Sequence, residues 1–219
     1  LFLANQGARS ALDGKDVLYI SLEMSEDRVA QRFDSIFTRI KQAELKTRVD
    51  NLEERLGRLQ SAATMGKLKI KEFPTKRFTI AGLRAYLNQL RNYENFVPDV
   101  LIIDYLELMS SSDGSLAEYS AQERTAQELR GIAVEHKCVV WTATQTNRKG
   151  KEVDIITDAE LADSYGKIRV CDLAFSINQK EKEFDEGKAR LFVMKARNGR
   201  ARYIVPLRID YTRLTITQQ

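Results

Sequence analysis

The sequence predicts an α/β fold: a mostly parallel, twisted sheet flanked by helices, with antiparallel strands at its C-terminal edge. Three observations predict it. The first half alternates short β-rich runs with helix-period segments, the pattern of βαβ units. "DVLIIDYLEL", Asp99 to Leu108, has the continuous apolar run of a strand covered on both faces. The last third is strand after strand, with "NGR" (Asn198 to Arg200) as a hairpin turn signal.

"LFLANQGARSAL" reads as an apolar helix already under way, and Asp13-Gly14 ends it with a turn signal. "DVLYISLE", Asp16 to Glu23, is the first strand. Ser25 is placed to cap the helix in "EDRVAQRFDSIFTRI", where Val29, Phe33, Ile36, Phe37 and Ile40 share a face. A second helix spans Asp50 to Ala63 with a Leu52, Leu56 and Leu59 stripe; the stripe packs on its own chain or on a neighbouring subunit. "KLKIKEF" alternates as a strand, and Thr79 caps "TIAGLRAYLNQLRNY". After the 99–108 strand come a loop at "SSSDGS", a long helix in "SAQERTAQELRGIAVEHK" and a strand in "CVVWTATQ". A polar, mobile stretch from Thr146 to Glu160 follows. The terminal strands are "CDLAFSINQ", "ARLFVMKARN", "ARYIVPLRID" and "RLTITQ", with "KEKEFDEGKAR" as a solvated hairpin loop.

The 219 residues suit one domain, residues 1–219, and no linker or repeat divides them. No signal peptide or membrane span is visible, which places the protein in the cytoplasm. Cys138 and Cys171 lie in apolar surroundings outside any C-x-x-C pair and read as reduced thiols. With one histidine, the chain offers no zinc set. Met24, Met109 and Trp141 read as core, and His136 as a helix-end residue near the last carbonyls or in solvent. The net charge is +4, yet from Lys188 onward there are eight basic residues against one acid, Asp210. Such a segment is either a solvated basic face or a phosphate-binding one.

In a parallel α/β sheet, ligands collect beyond the carboxyl ends of the strands. Glu23, Asp104, Gln145, Lys195 and Arg197 all fall at such ends. An apolar strand closed by Asp is the Walker-B pattern, whose carboxylate holds the Mg2+ of a nucleoside triphosphate, often through water; a strand-end Asp also serves merely to cap a turn. A Glu beside it can accept from an attacking water. Gln145 can orient that water or sense a γ-phosphate. Lys195 and Arg197, two apart on a strand, share a face and suit a transferring phosphoryl group.

"YISLEMSEDRVAQR", "VLIIDYLELM", "ATQTNR" and "KARNG", in that order and spacing, resemble the motor domain of DnaB-type replicative helicases, a RecA-like fold. The resemblance covers nearly the whole chain. It implies that Glu23 activates the hydrolytic water, that Asp104 holds Mg2+ and that Gln145 couples the nucleotide to DNA loops. It implies that Lys195 and Arg197 reach the ATP of a neighbouring subunit, with Arg197 as the arginine finger. Activity then needs a ring, a hexamer in this family, and Arg32 lies at the nucleotide pocket. The DNA loops would be the segment near Ser110 to Ser120 and the one from Arg148 to about Lys167. The phosphate contacts would be Lys149, Lys151 and Lys167, with backbone amides of Ser164 to Gly166 helping and Tyr165 either stacking a base or packing. Single-stranded DNA, and with it a primase and a helicase loader, are the partners the resemblance implies.

The chain departs from the family in three places. No G-x-x-x-x-G-K-S/T string occurs; the family carries that loop just before the helix that "LFLANQGARSAL" resembles. The sequence therefore reads as a fragment that binds ATP poorly without its upstream loop. "ADSYGKIRVCD" replaces the acidic, glutamine-containing stretch usual there and looks more like recombinases and phage-type helicases. The amino-terminal collar domain is also absent. Beside the helicase reading stand a RecA-like recombinase or other non-unwinding DNA-dependent ATPase, and a non-catalytic DNA-binding module of the same fold.

Overall fold

In a computed structural model, the structure describes residues 1–61, 64–110, 118–145, 153–157 and 165–219. Residues 111–117 of the first segment that the sequence assigns to DNA, with Lys149, Lys151, Ser164 and the Tyr165 side chain, lie outside what is described. The chain runs α1 (Phe2–Leu12), β1 (Val17–Ser21), α2 (Glu26–Thr38), α3 (Val49–Ser61), β2 (Leu68–Glu72), α4 (Ile80–Glu94), β3 (Val100–Asp104), α5 (Glu118–His136) and β4 (Val139–Thr142). It continues through α6 (Tyr165–Val170), β5 (Leu173–Asn178), α7 (Glu181–Asp185), β6 (Lys188–Ala196), β7 (Tyr203–Asp210) and β8 (Thr215–Gln218). Short 3-10 turns cover Gln42–Thr47 and Leu106–Leu108.

The parallel sheet has the order β2-β1-β3-β4. Its central strands are apolar on both sides because both sides are covered. Alternation sends Leu18, Ile20, Leu101 and Ile103 to one face, where they pack with Leu83, Leu87 and Leu90 of α4 and Leu129 and Ile132 of α5. Val17, Tyr19, Val100 and Ile102 point to the other, against Ala4, Ala8 and Ala11 of α1 and Val29 and Phe33 of α2. α1 approaches this face closely: a Cβ on Gly7 would lie 2.9 Å from Cδ1 of Ile102. The predicted caps form, Ser25 Oγ accepting from the Arg28 amide and Thr79 Oγ1 from the Gly82 amide.

The antiparallel strands form their own sheet in the order β5-β6-β7-β8. The sequence placed them on the edge of the parallel sheet; among the described residues no ladder joins β4 to β5. Contact comes instead through side chains, with the Trp141 and Phe175 rings 6.0 Å apart and Phe2 5.0 Å from Phe175. Trp141 is half-buried instead of core, because β4 is an edge strand. Two strand ends, those of β1 and β4, fall short of the sequence reading, and β3 closes on Asp104 as expected. β1 stops at Ser21 and β4 at Thr142, so Glu23 and Gln145 stand in the turns that follow their strands. The "KEKEFDEGKAR" run holds the short helix α7. Part of the polar stretch after Gln145 is anchored to β5: the Ile156 amide donates to Asn178 Oδ1 at 2.8 Å, and Ser176 Oγ donates to the Ile156 carbonyl at 2.6 Å. The leucine stripe of α3 is only half-buried, and it contacts α2 of its own chain.

Candidate functional site

The register pairs Ser21 with Asp104, so the ends of β1 and β3 lie side by side. Beyond Ser21 a tight turn forms. Ser21 Oγ accepts from the Met24 amide at 3.0 Å and donates to the Met24 carbonyl at 2.6 Å. The Leu22 amide donates to the Asp104 carbonyl at 2.9 Å. Glu23 is therefore held at the tip of this turn, exposed, next to the end of β3.

Asp104 continues the even-numbered face of β3 and points to the side covered by α1 and α2. The Tyr19 hydroxyl, on the same face of β1, donates to Asp104 Oδ2. Burial pushes the Tyr19 phenol well above its usual range. The Asp104 charge and hydrogen bond add to this, Arg32 opposes it, and Glu23 reinforces it slightly. Glu23, Arg32 and Asp104 thus share one electrostatic neighbourhood. The N-terminal end of α1, at Leu1, lies within reach of both Arg32 and Asp104. A helix N-terminus carries unpaired N–H groups and positive potential, which favours an anion.

Tyr105 follows Asp104 through a cis peptide bond. Its hydroxyl accepts from Gln145 Nε2 at 2.9 Å. Burial, then the charges of Glu23, Glu107 and Asp104, push its phenol up. Asp104 and Glu23 accordingly meet at the ends of β1 and β3, Gln145 joins them through Tyr105 after β4, and the Arg32 charge acts on the Tyr19–Asp104 pair.

Lys195 and Arg197 are not in this group. Lys195 Nζ donates to the carbonyls of Ile168 and Arg169 at 3.0 and 2.7 Å, satisfying the last turn of α6. Arg197 pairs with Asp172 at 2.8 Å, and Arg130 shares the same carboxylate. The Arg130 hydrogen bond holds the Asp172 carboxyl below the usual range, and the charges of both arginines and of Lys195 act in the same direction.

Lys167 departs from its expected role. Its side chain is 8% exposed and its ammonium meets Glu107 Oε1 at 2.7 Å, Gln122 Oε1 at 2.8 Å and Thr144 Oγ1 at 2.8 Å. An ammonium has three donors, and all three are taken. Gly166 sits beneath the Glu123 side chain, where a Cβ would come 2.8 Å from Cδ, so its lack of a side chain suits the close packing of α6 on α5.

Part of the basic excess of the last strands is compensated within the chain. Lys188 pairs with Glu186, Arg190 with Glu183 and Asp154, and Arg213 with Asp210. Arg200 lies 6.0 Å from the Tyr203 ring. Sequence reasoning missed Tyr19, Tyr105, Glu107, Thr144 and Asp172. Only Tyr19 left a signal: a phenol inside an otherwise aliphatic buried strand needs a polar partner.

Among the described residues, no cluster of three or more histidine, cysteine or acidic side chains could hold a metal by itself. A lone strand-end carboxylate beside a helix N-terminus still fits Mg2+, which keeps several waters and takes its remaining ligands from phosphate. No helix among the described residues is long and apolar enough to cross a membrane.

A four-stranded parallel core with acids at its strand ends, followed by an antiparallel sheet, defines a RecA-like α/β domain. The family profile of the DnaB-like helicase C terminal domain matches residues 2–212, and the chain belongs to that family. It is 30% identical over 177 residues to a DnaB-like replicative helicase of Enterobacteria phage T4, covering 77% of this chain and 37% of that protein. It is 28% identical over 135 residues to the replicative DNA helicase DnaB of Rickettsia typhi, covering 61% and 27%. The chain thus spans well under half the length of these curated relatives. In fold it is similar to a solved ATPase domain, with a TM-score of 0.80 at 18% identity, covering 100% of this chain and 79% of that one. A DnaB-like replicative helicase studied in its interactions with primase gives a TM-score of 0.80 at 16% identity, covering 98% and 53%.

Proposed function

We propose that this domain is the motor of an ATP-dependent replicative DNA helicase that moves on single-stranded DNA as a ring, in the cytoplasm. The observation that carries the proposal is the convergence of Asp104, Glu23 and, through Tyr105, Gln145 at the ends of adjacent parallel strands. Asp104 would hold Mg2+, which neutralises phosphate charge when bound. Glu23 accepts a proton from the attacking water, its exposure at the turn tip leaving it open to a ligand. Arg32 and the N-terminal end of α1 supply positive potential to the phosphates. Gln145 responds to the nucleotide and passes its state to the segment that follows.

Lys195 and Arg197 serve a neighbouring subunit's site. Their separation from Asp104 within the chain supports this reading, as does the 43% exposure of the Arg197 side chain. The finger leaves Asp172 to reach a γ-phosphate, where positive charge stabilises the transferring group. The ring would be a hexamer, and a primase and a loader would act on the intact protein.

Strand displacement from a forked duplex by the full-length protein tests the proposal. ATP-dependent release abolished by Glu23→Gln, with nucleotide binding retained, is the expected result. Arg197→Ala subunits should lose hydrolysis and regain it beside wild-type neighbours; no gain on mixing would remove the in-trans role. DNA-stimulated hydrolysis without strand release would favour a recombinase-like ATPase, and no hydrolysis at all a binding module.

A further inference from the structure

We propose that the buried Lys167–Glu107 pair, completed by Thr144 and Gln122, is the positioning contact that transmits nucleotide state from the strand ends to α6; the inference rests on the motor reading above.

Four elements meet in this cluster. Glu107 lies in the 3-10 turn after β3, three residues beyond Asp104. Thr144 immediately precedes Gln145. Gln122 comes from α5 and Lys167 from α6. Both the Lys167 ammonium and the Thr144 hydroxyl donate to Glu107 Oε1. Glu107 Oε2 is buried and has no hydrogen-bond partner. Side-chain exposure is 8% for Lys167 and 17% for Glu107.

Taking two charges out of water is costly, and an apolar pair of similar volume usually stabilises a fold at least as well. The pair is therefore a weak staple. Its effect is to fix position: the ammonium can satisfy all its donors only if the ends of β3 and β4, α5 and α6 stand in one arrangement. It is also continuous with the nucleotide side. Glu107 acts electrostatically on Tyr105, whose hydroxyl holds Gln145, the residue next to Thr144. A shift of Gln145 moves Thr144, and Thr144 is bonded to both members of the pair. α6 also supplies the carbonyls that hold Lys195, so the cluster reaches toward the finger residues as well.

The test uses the full-length protein. ATP hydrolysis is measured with and without single-stranded DNA, and DNA affinity is measured across a salt series. Glu107→Gln and Lys167→Met should each reduce the DNA stimulation of hydrolysis by about tenfold, an ordinary size for coupling between two sites. The salt slope of DNA binding should not change. The double variant, which carries no buried charge and so keeps the fold if a single variant loses it, should be uncoupled to the same extent as either single.

Other outcomes overturn the proposal. If Lys167 touches a DNA phosphate directly, Lys167→Met lowers the salt slope by about 1, and Glu107→Gln, by releasing the ammonium, tightens DNA binding. Wild-type stimulation in the double variant would reduce the pair to packing. A wild-type protein that hydrolyses no ATP would instead remove the motor reading itself.

Discussion

Tyr19 and Asp104 are joined across neighbouring strands of the parallel sheet. The phenol donates to Asp104 Oδ2 although the register sets Tyr19 opposite Ile102 and Asp104 opposite Ser21. The long aromatic side chain spans the offset along one face. Because burial and the Asp104 charge push the phenol well up, it stays a neutral donor throughout the working pH range. One carboxylate oxygen is thereby fixed in direction.

Tyr19→Phe should remove that orientation. Groups that hold a metal-binding side chain typically change metal affinity or activity by about 10–100-fold when lost. The Mg2+ concentration for half-maximal hydrolysis by the full-length protein should rise by about tenfold, the low end of that range. Thermal stability should fall by about 1 kcal/mol as a part-buried carboxylate oxygen loses its partner. A magnesium titration and a melting curve check both; an unchanged titration would detach Tyr19 from the metal site.

Tyr105→Phe removes the acceptor for Gln145 Nε2. Nucleotide affinity should remain, since Tyr105 is not placed on the phosphates. Turnover should drop about tenfold, equivalent to about 1.4 kcal/mol, the worth of one good hydrogen bond. Adding Gln145→Ala should cost little more, because the pair acts as a unit. Additive losses in steady-state turnover would show that the two side chains work separately.

Ile102 is fully buried between α1 and β1, and Gly7 rests on its Cδ1. Ile102→Ala should destabilise the domain by about 2–5 kcal/mol through lost burial and a cavity that the close α1 contact cannot fill. Val134, 72% exposed on α5, should tolerate alanine within about 0.5 kcal/mol. Chemical denaturation of the two variants compares them directly.

His136 gives the fold a pH dependence. Arg91 donates to its Nδ1 at 3.2 Å, so the neutral ring is the bonded form. Burial, then the Arg91 charge, lowers its pKa below the ordinary value, with Glu135 opposing. Between the folded and unfolded pKa values the unfolded chain binds more protons, so stability rises with pH there. The contribution is fully present above the unfolded value and is lost as pH falls through the folded one. His136→Gln should flatten the acid side of a stability–pH curve below about pH 6.5, the ordinary histidine value. An unaltered slope would assign the acid sensitivity elsewhere.

Much of the site was legible because it follows from chain order. An apolar run closed by Asp104, a Glu just beyond another such run and Gln145 after a third must come together once the strands are parallel and in register. The Ser25 and Thr79 caps were legible for the same local reason: each precedes an amphipathic segment by one residue. Strand ends were less so. β1 stops at Ser21, two residues before Glu23, because the Ser21 hydroxyl takes the Met24 amide into a tight turn, which no local propensity announces.

Lys167 marks the limit of such reading. In sequence it is a cation after a small polar loop, which suits a phosphate. Its fate was settled by Glu107, Gln122 and Thr144, residues 60, 45 and 23 positions away, which converge only after folding. Part of the C-terminal basic segment behaves alike: Arg190 meets Asp154 and Arg197 meets Asp172, acids that only folding brings near, whereas Lys188 and Arg213 take acids two and three residues away.

The alternation of strands and helices, the two-faced apolar core and the acids beyond the strands could all be read along the chain, because periodicity and burial act over a few residues at a time. Which polar groups meet could not. Packing bound Tyr19 to Asp104, Tyr105 to Gln145, Arg197 to Asp172 and Lys167 to Glu107. A buried donor or charge must take whatever partner the folded chain brings within hydrogen-bond reach, and distance along the sequence does not enter into that choice.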